Sequence, residues 1–272
     1  MQLILGSSSA GRREVMSSLG VRFSTMRPDI DEKAVRHEDS YVLPVVVAAA
    51  KCKALLDRVR IPAVIVTADQ VVIGPAGARA EAGAGADGAA AEASASGGAA
   101  SSSESAALDL ASRLGLSAGD PVVGLPLPGG DGTAPPGGNG RAACAVEVRE
   151  KPRDAAEAAD FISRYSGSWV QCVSAVVVHN TRTGQRAAGL DVVTVEFDDI
   201  PASAVAEAVR PVAGAPPAVL SCAGGVMIEH DAIKPFVRRL GGPEDSVFGL
   251  PKTLLRDLLA AVGGPVIPES DA

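Results

Sequence analysis

The chain predicts a mixed α/β fold, on three observations. An apolar run, Ile61-Pro62-Ala63-Val64-Ile65-Val66-Thr67-Ala68, lacks polar alternation and reads as a strand buried on both faces. Strand-like and helix-like segments alternate towards both ends of the chain. Between them lies a hairpin: Val170 to His179 alternates, Asn180-Thr181-Arg182-Thr183-Gly184 is turn chemistry, and Leu190 to Phe197 alternates again. Together these imply a mixed sheet, neither purely parallel nor a barrel.

Composition sets the limits. At 272 residues the chain holds one large or two modest domains, and 47% hydrophobic residues supply a core although aromatics reach only 3%. A formal charge of −7 with no long Lys/Arg run argues against nucleic acid and against an anionic membrane surface, so a polyanionic ligand would depend on local arginines or a metal. Cys52, Cys144, Cys172 and Cys222 form no CxxC and have no histidine near them in sequence, which reads as reduced thiols and no zinc site. With no signal-peptide pattern and no apolar run of membrane-spanning length, a soluble, cytoplasmic protein is expected.

The elements follow in order. Leu3-Ile4-Leu5 reads as a strand, Gly6-Ser7-Ser8-Ser9 as a loop, and Val15, Met16 and Leu19 as one face of a helix stopped by Gly20. Backbone N–H groups at that helix start, with Arg12 and Arg13, suit phosphate oxygens; taken alone, the stretch fits a serine N-cap and surface arginines better. Val21 to Met26 is a short alternating segment. Asp29, Asp31 and Glu32 put three carboxylates on one turn, a donor set suited to Mg²⁺ or Mn²⁺ or simply a solvated acidic loop. Tyr41 to Val59 is helical, with Val45, Val46, Ala49, Leu55 and Leu56 apolar; Lys51 and Lys53 read as solvated. The buried strand ends in Asp69-Gln70, where open α/β sheets place chemistry, and Val71 to Gly74 continues as a second short strand.

Residues 75–145 are dominated by Ala, Gly, Ser and Pro and contain no Phe, Trp, Tyr or Lys. They are expected to form a disordered insertion, with at most a short helix around 106–116. After Val146 to Pro152, Asp154 to Tyr165 is an amphipathic helix with Ala158, Phe161, Ile162 and Tyr165 inward. Pro201 opens a helix through about Val209, Val219 to Glu229 reads as a glycine-interrupted strand region, and Pro251 to Val262 is a closing helix stopped by Gly263. One domain is thus split into 1–74 and 146–264, with a tail at 265–272.

Laid side by side, the motifs form a recognisable series. The serine loop with its arginines, Asp29-Ile30-Asp31-Glu32, a helix lysine, Ala68-Asp69-Gln70-Val71-Val72, Lys151-Pro152, Tyr165-Ser166-Gly167, Ala223-Gly224-Gly225 and Gly249-Leu250-Pro251 closely resemble the Maf family of nucleoside triphosphate pyrophosphatases. The resemblance covers Leu3 to about Gly74 and Val146 to about Val262. Asp29 to Arg36, Glu147 to Pro152 and Glu229 to Lys252 look most like its eukaryotic, plant-type branch.

This resemblance implies a Maf-like, ITPase-like α/β fold, an elongated mixed sheet with flanking helices and a central cleft. It also implies hydrolysis of non-canonical or modified nucleoside triphosphates to monophosphate and pyrophosphate with Mg²⁺ or Mn²⁺. Residue by residue, it implies a triphosphate loop at Ser7, Ser9 and Arg12 with Arg13 beside it, a metal-site acid at Glu32 and a phosphate-facing catalytic lysine at Lys51. The catalytic, metal-holding aspartate falls on Asp69, a phosphate-proximal lysine on Lys151, and a further substrate position on Glu229, where many members carry glutamine. Gln70 matches members that resemble the 7-methyl-GTP group, whereas threonine there looks like the dTTP and UTP hydrolases.

The chain departs from the pattern in placing Gly11 between Ala10 and the arginine pair, Val226 where many members have an aromatic, and Ala49 where an acid is frequent. The partner implied is the nucleotide, with no nucleic acid or membrane, and a homodimer is compatible with the family pattern. Two alternatives stay open: a nucleotide-binding regulator without turnover, and a scaffold that presents the insertion.

Overall fold

The computed structural model describes residues 1–76, Val122–Val123 and 146–268. The insertion, the helix expected near 106–116 and Cys144 therefore lie outside the described residues, apart from Pro75, Ala76 and Val122–Val123. Among the described residues the sheet has eight strands: β1 (Gln2–Gly6), β2 (Ser24–Thr25), β3 (Ala63–Pro75), β4 (Val122–Val123), β5 (Val146–Arg149), β6 (Trp169–Asn180), β7 (Arg186–Phe197) and β8 (Val237–Leu240).

Three long antiparallel strands, β3, β6 and β7, run through the whole molecule, and the short strands lie along their outer edges. On the outer edge of β3, β1 pairs in parallel with Ala63 to Thr67 and β5 pairs antiparallel with Val72 to Pro75, so residues 68–71 have no strand partner on that side among the described residues. The outer edge of β7 is divided likewise, β4 taking Ala188 and Gly189 and β8 taking Val195 to Phe197. Two lobes thus share a central ribbon, with a waist at 68–71 on one edge and 190–194 on the other.

Helices cover both faces. On one, α2 (Leu43–Leu56) packs Val45, Ala48, Cys52 and Leu55 on Ile65, Ile73, Val173, Ala175 and Val177. On the other, α1 (Ala10–Ser18) and α6 (Lys252–Ala261) cover Val64, Val66, Val176 and Val178, while α3 (Ala155–Tyr165) and α4 (Ala202–Ala208) cover Val72, Cys172, Val193 and Val195. Leu5, Leu55, Leu255 and Leu258 are fully buried; each such side chain contributes about 1.5–3 kcal/mol of transfer free energy. A last short helix, α5 (Glu244–Val247), lies over the waist on this second face.

Several expectations are corrected. Asp69 and Gln70 do not end a strand: β3 runs unbroken for 13 residues because its ladder with β6 pairs backbone groups from Val64 to Ile73 whatever the side chains. What ends at this point is the neighbouring strand β1. Val219 to Glu229 is not extended but forms two 3₁₀ turns, Ala218–Ser221 and Ala223–Gly225. Gly224 and Gly225 adopt φ of 60° and 65°, open to glycine at no steric cost, and a Cβ on Gly224 would lie 2.8 Å from Val72 and from the Tyr165 hydroxyl. Of Val21 to Met26 only Ser24–Thr25 is strand. β6 does not alternate but is buried on both faces through most of its length, because helices cover both. Within the predicted insertion, Val122–Val123 is a short strand, and β8 and α5 carried no sequence signal that was recognised.

Candidate active site

The waist gathers the charged residues. Asp69 lies on the α2 face of β3, just past the end of β1. Lys51, in the second half of α2, is only 4% exposed, and its ammonium donates to Asp69 Oδ1 at 2.7 Å and pairs with Glu32 Oε2 at 3.0 Å. Glu32 reaches this point from a 3₁₀ turn, Glu32–Ala34, whose N-cap is the Asp31 carboxylate accepting from the Lys33 N–H. A lysine that the helix pattern alone would leave in solvent is therefore the buried centre of a carboxylate–ammonium–carboxylate array.

Arg12 enters from α1 through the open edge of β3. Its Nη1 donates to the Ala68 carbonyl at 2.7 Å, an acceptor free because β1 has already ended, and its Nε donates to the Gly249 carbonyl at 2.9 Å. A Cβ on Gly249 would lie 3.2 Å from Arg12 Nε and 3.3 Å from Gln70 Oε1, and its φ of 82° is itself unfavourable to any side chain. The Gly249-Leu250-Pro251 motif thus presents a carbonyl that holds the arginine. Burial pushes the Asp69 carboxyl above its ordinary range, and the nearby Lys51 and Arg12 charges oppose that rise. Burial likewise lowers the Arg12 guanidinium, opposed by Asp69 and Glu32.

The serine loop is built as a cap. Ser7 Oγ accepts from the Ser9 N–H at 3.1 Å, and Ser9 Oγ accepts from the Arg12 N–H as the N-cap of α1. The next two N–H groups, of Ala10 and Gly11, take no hydrogen bond among the described residues. Arg13 is separate from the cluster, its Nη1 donating to the Ser8 carbonyl at 3.2 Å.

Gln70 faces the other way. Its amide donates to Ser174 Oγ at 3.0 Å and to the carbonyls of Ser246 and Val247 at 3.1 and 2.9 Å, so both of its N–H bonds are committed to the protein. Lys151 is exposed in a cleft of about 390 Å³ that also involves Lys33, Arg36, Leu43, Glu150 and Phe161. Arg36 pairs there with Glu150 at 3.0 Å, whereas Lys33 and Lys151 form no ion pair among the described residues. Glu229 stands at an exposed rim, where partial desolvation and the charges of Glu14 and Glu244 push its carboxyl up.

Glu32, Lys51, Asp69 and Arg12 are thus brought together, Ser7 and Ser9 shape the loop beside them, and Arg13, Lys151 and Glu229 lie around the margin. Ser174, Asp191 and Ser246 have no counterpart among the sequence candidates. Cross-strand register aligns Ser174 and Asp191 with Gln70, and the short helix α5 brings in Ser246; a linear pattern carries neither.

The chain is similar to a 7-methyl-GTP pyrophosphatase of Dictyostelium discoideum, 26% identical over 267 residues that cover 96% of each chain. It also matches proteins of that name from Idiomarina loihiensis, 38% identical over 27% of this chain and 37% of the relative, and Burkholderia pseudomallei, 40% identical over 26% and 34%. The Maf-like protein family model matches residues 2–92 and 142–262, and the chain belongs to the Maf family.

Proposed function

We propose that this protein is a nucleoside triphosphate pyrophosphatase that acts on modified nucleotides, 7-methyl-GTP foremost, and releases a nucleoside monophosphate and pyrophosphate. The observation that carries this reading is the buried Lys51 ammonium fixed between Asp69 and Glu32, with Arg12 held beside Asp69 by two backbone carbonyls. The names of the similar proteins support the choice of substrate.

Asp69 serves as the general base. Its elevated carboxyl accepts a proton from water more readily near neutral pH than an ordinary carboxylate does, and the Lys51 bond fixes its orientation. The water so activated attacks the α-phosphorus. The bond from that phosphorus to the bridging oxygen breaks, and the pair of electrons leaves with pyrophosphate. Lys51 and Arg12 stabilise charge on the phosphate oxygens, the uncommitted N–H groups of Ala10 and Gly11 offer an anion site at the start of α1, and Lys33 and Lys151 hold the leaving end. No covalent enzyme intermediate is needed.

Glu32 and Asp69 would hold Mg²⁺ or Mn²⁺. They already converge on one cationic group, although among the described residues no three acidic, histidine or cysteine side chains assemble, so phosphate oxygens and water would complete the shell. When bound, such an ion supplies Lewis-acid polarisation of the phosphates.

Pyrophosphate release from 7-methyl-GTP, GTP, CTP, UTP and dTTP with Mg²⁺ or Mn²⁺ tests the proposal. Turnover is expected with kcat/KM for 7-methyl-GTP above that for dTTP and UTP. A strong preference for dTTP and UTP contradicts the substrate assignment, and no release with any nucleotide favours a regulator without turnover.

A further inference from the structure

The second face of the central ribbon carries a polar cluster that the charged array does not touch. Gln70 of β3 and Ser174 of β6 are cross-strand partners there, among apolar pairs: Val72 with Cys172 towards one lobe, Ala68 with Val176 towards the other. Ser174 is fully buried, and α5 lies over the two residues. A hydroxyl in such surroundings is costly unless its bonds are made.

Its bonds are made, and they have a direction. The Ser246 carbonyl can only accept, so the Ser174 hydroxyl gives its one proton to it, at 2.9 Å. The Ser174 oxygen is then an acceptor towards Gln70, whose Nε2 lies 3.0 Å away. The same Nε2 donates to the carbonyls of Ser246 and Val247 at 3.1 and 2.9 Å. Three acceptors thus surround one end of the amide, and only its NH2 group can face them; turned over, the amide would set its own oxygen against all three.

The other end of the amide is fixed by the same bonds. Gln70 is half-buried, and its Oε1 accepts no hydrogen bond among the described residues. The place that a Cβ on Gly249 would take lies 3.3 Å from Oε1 and 3.2 Å from both Nε and Nη2 of Arg12. The uncommitted amide oxygen therefore stands beside the guanidinium that is held next to Asp69.

We propose that Ser174 is a positioning residue: tied to the Ser246 carbonyl, its hydroxyl seats the amide of Gln70 so that Oε1 is a fixed acceptor for N–H groups of the nucleobase. An acceptor that cannot turn over discriminates by chemistry. Guanine carries N1–H and an exocyclic amino group side by side, and methylation at N7 puts a positive charge on the ring that strengthens both donors. Uracil and thymine carry one N–H between two carbonyls, which a fixed oxygen repels. The inference rests on the pyrophosphatase reading and deepens it, by assigning a residue to the choice of base.

The test is a double-mutant cycle in the full chain: wild type, Ser174→Ala, Gln70→Ala and the double variant, each assayed for pyrophosphate release from 7-methyl-GTP and UTP. In Ser174→Ala the ratio of kcat/KM for 7-methyl-GTP to that for UTP is expected to fall at least about threefold, as the loss of one neutral hydrogen bond allows. The fall should come from a higher KM for 7-methyl-GTP, with kcat held within about twofold. In the Gln70→Ala background, Ser174→Ala should leave the ratio where it is, because there is no amide to seat. An unchanged ratio in Ser174→Ala with a lowered melting temperature overturns the proposal and makes Ser174 a packing residue. An equal fall in both backgrounds, a fall carried by kcat alone, or a wild type that prefers UTP also overturns it. If Ser174→Ala is insoluble, Ser174→Cys, which keeps the shape and weakens both bonds, is read against the same outcomes.

A protein that releases pyrophosphate from neither nucleotide refutes the activity instead. The cycle is then read in the dissociation constants of 7-methyl-GTP and UTP by calorimetry, with the same expected threefold fall and the same contrast between backgrounds. A wild type that binds the two alike, or binds neither, overturns the positioning as well.

Discussion

Asp69 and Gln70 are neighbours on one strand, yet they belong to different regions of the molecule. Asp69 points to the α2 face, into an array of formal charges with Lys51 and Glu32. Gln70 points to the opposite face, where its partners are a hydroxyl and two carbonyls beneath α5. The alternation of a β-strand divides the labour: charge that serves a reaction gathers on one side, and neutral polar groups that fix the approach of the two lobes gather on the other. Arg12 bridges them, from the Ala68 carbonyl next to Asp69 to the Gly249 carbonyl next to Gln70. The charged side should therefore govern rate, and the neutral side shape and selectivity.

The largest expected effect breaks the charged side. Asp69→Asn should lower kcat by about a hundredfold or more, the loss expected when a general base is removed, with the melting temperature little changed. Near-normal turnover in that variant would remove Asp69 from the chemistry.

Lys51→Met should come next, by roughly tenfold or more in kcat, and its signature lies in pH dependence. The Lys51 charge opposes the burial that raises Asp69. Without it the Asp69 carboxyl titrates higher still, and because the carboxylate is the active form, the acidic limb of the rate profile should move to higher pH. An unmoved limb would show that Lys51 does not tune Asp69.

Gln70→Thr probes the neutral side. The hydroxyl cannot span to both the Ser246 and Val247 carbonyls, so the melting temperature should fall, at about 1 kcal/mol for each neutral hydrogen bond lost, and relative kcat/KM should shift from 7-methyl-GTP towards dTTP and UTP. An unchanged preference with a lowered melting temperature would make Gln70 a structural residue alone.

The smallest effect is expected from joining Ala76 to Val146 through a short Gly/Ser turn in place of residues 77–145. Pro75 and Val146 are paired across β3 and β5, and Arg149 Nη2 donates to the Pro75 carbonyl at 2.8 Å, so a turn can close the ends; among the described residues it removes the two-residue strand β4. A loss of turnover here would show that the replaced stretch contributes to the site.

How much of this was legible in the sequence depends on the kind of signal. α1 and α6 followed from apolar spacing, and Gly20 and Gly263, at φ of 68° and 61°, end them as a C-terminal glycine does. The continuity of β3 was not legible: Asp69-Gln70 looks like a terminus, whereas a ladder on one edge carries the backbone straight through. The apolar run at Val219 to Glu229 hid its turns because hydropathy is blind to the positive φ of Gly224 and Gly225. Lys51 is surrounded by Val47, Ala48, Cys52 and Leu55 on a helix apolar nearly all round, so periodicity could not separate a buried lysine from a solvated one. Family resemblance singled out Glu32, Lys51 and Asp69 as site residues. The row Gln70, Ser174, Asp191 lay beyond both methods, since more than a hundred residues separate its first two members and only register brings them together.

The central claim, that water activated at Asp69 attacks the α-phosphorus, is tested most directly by hydrolysis of 7-methyl-GTP in ¹⁸O-labelled water with mass analysis of both products. The account predicts one labelled oxygen in 7-methyl-GMP and none in pyrophosphate, at a rate that collapses in Asp69→Asn. Label in pyrophosphate, or orthophosphate and 7-methyl-GDP as the products, would contradict it.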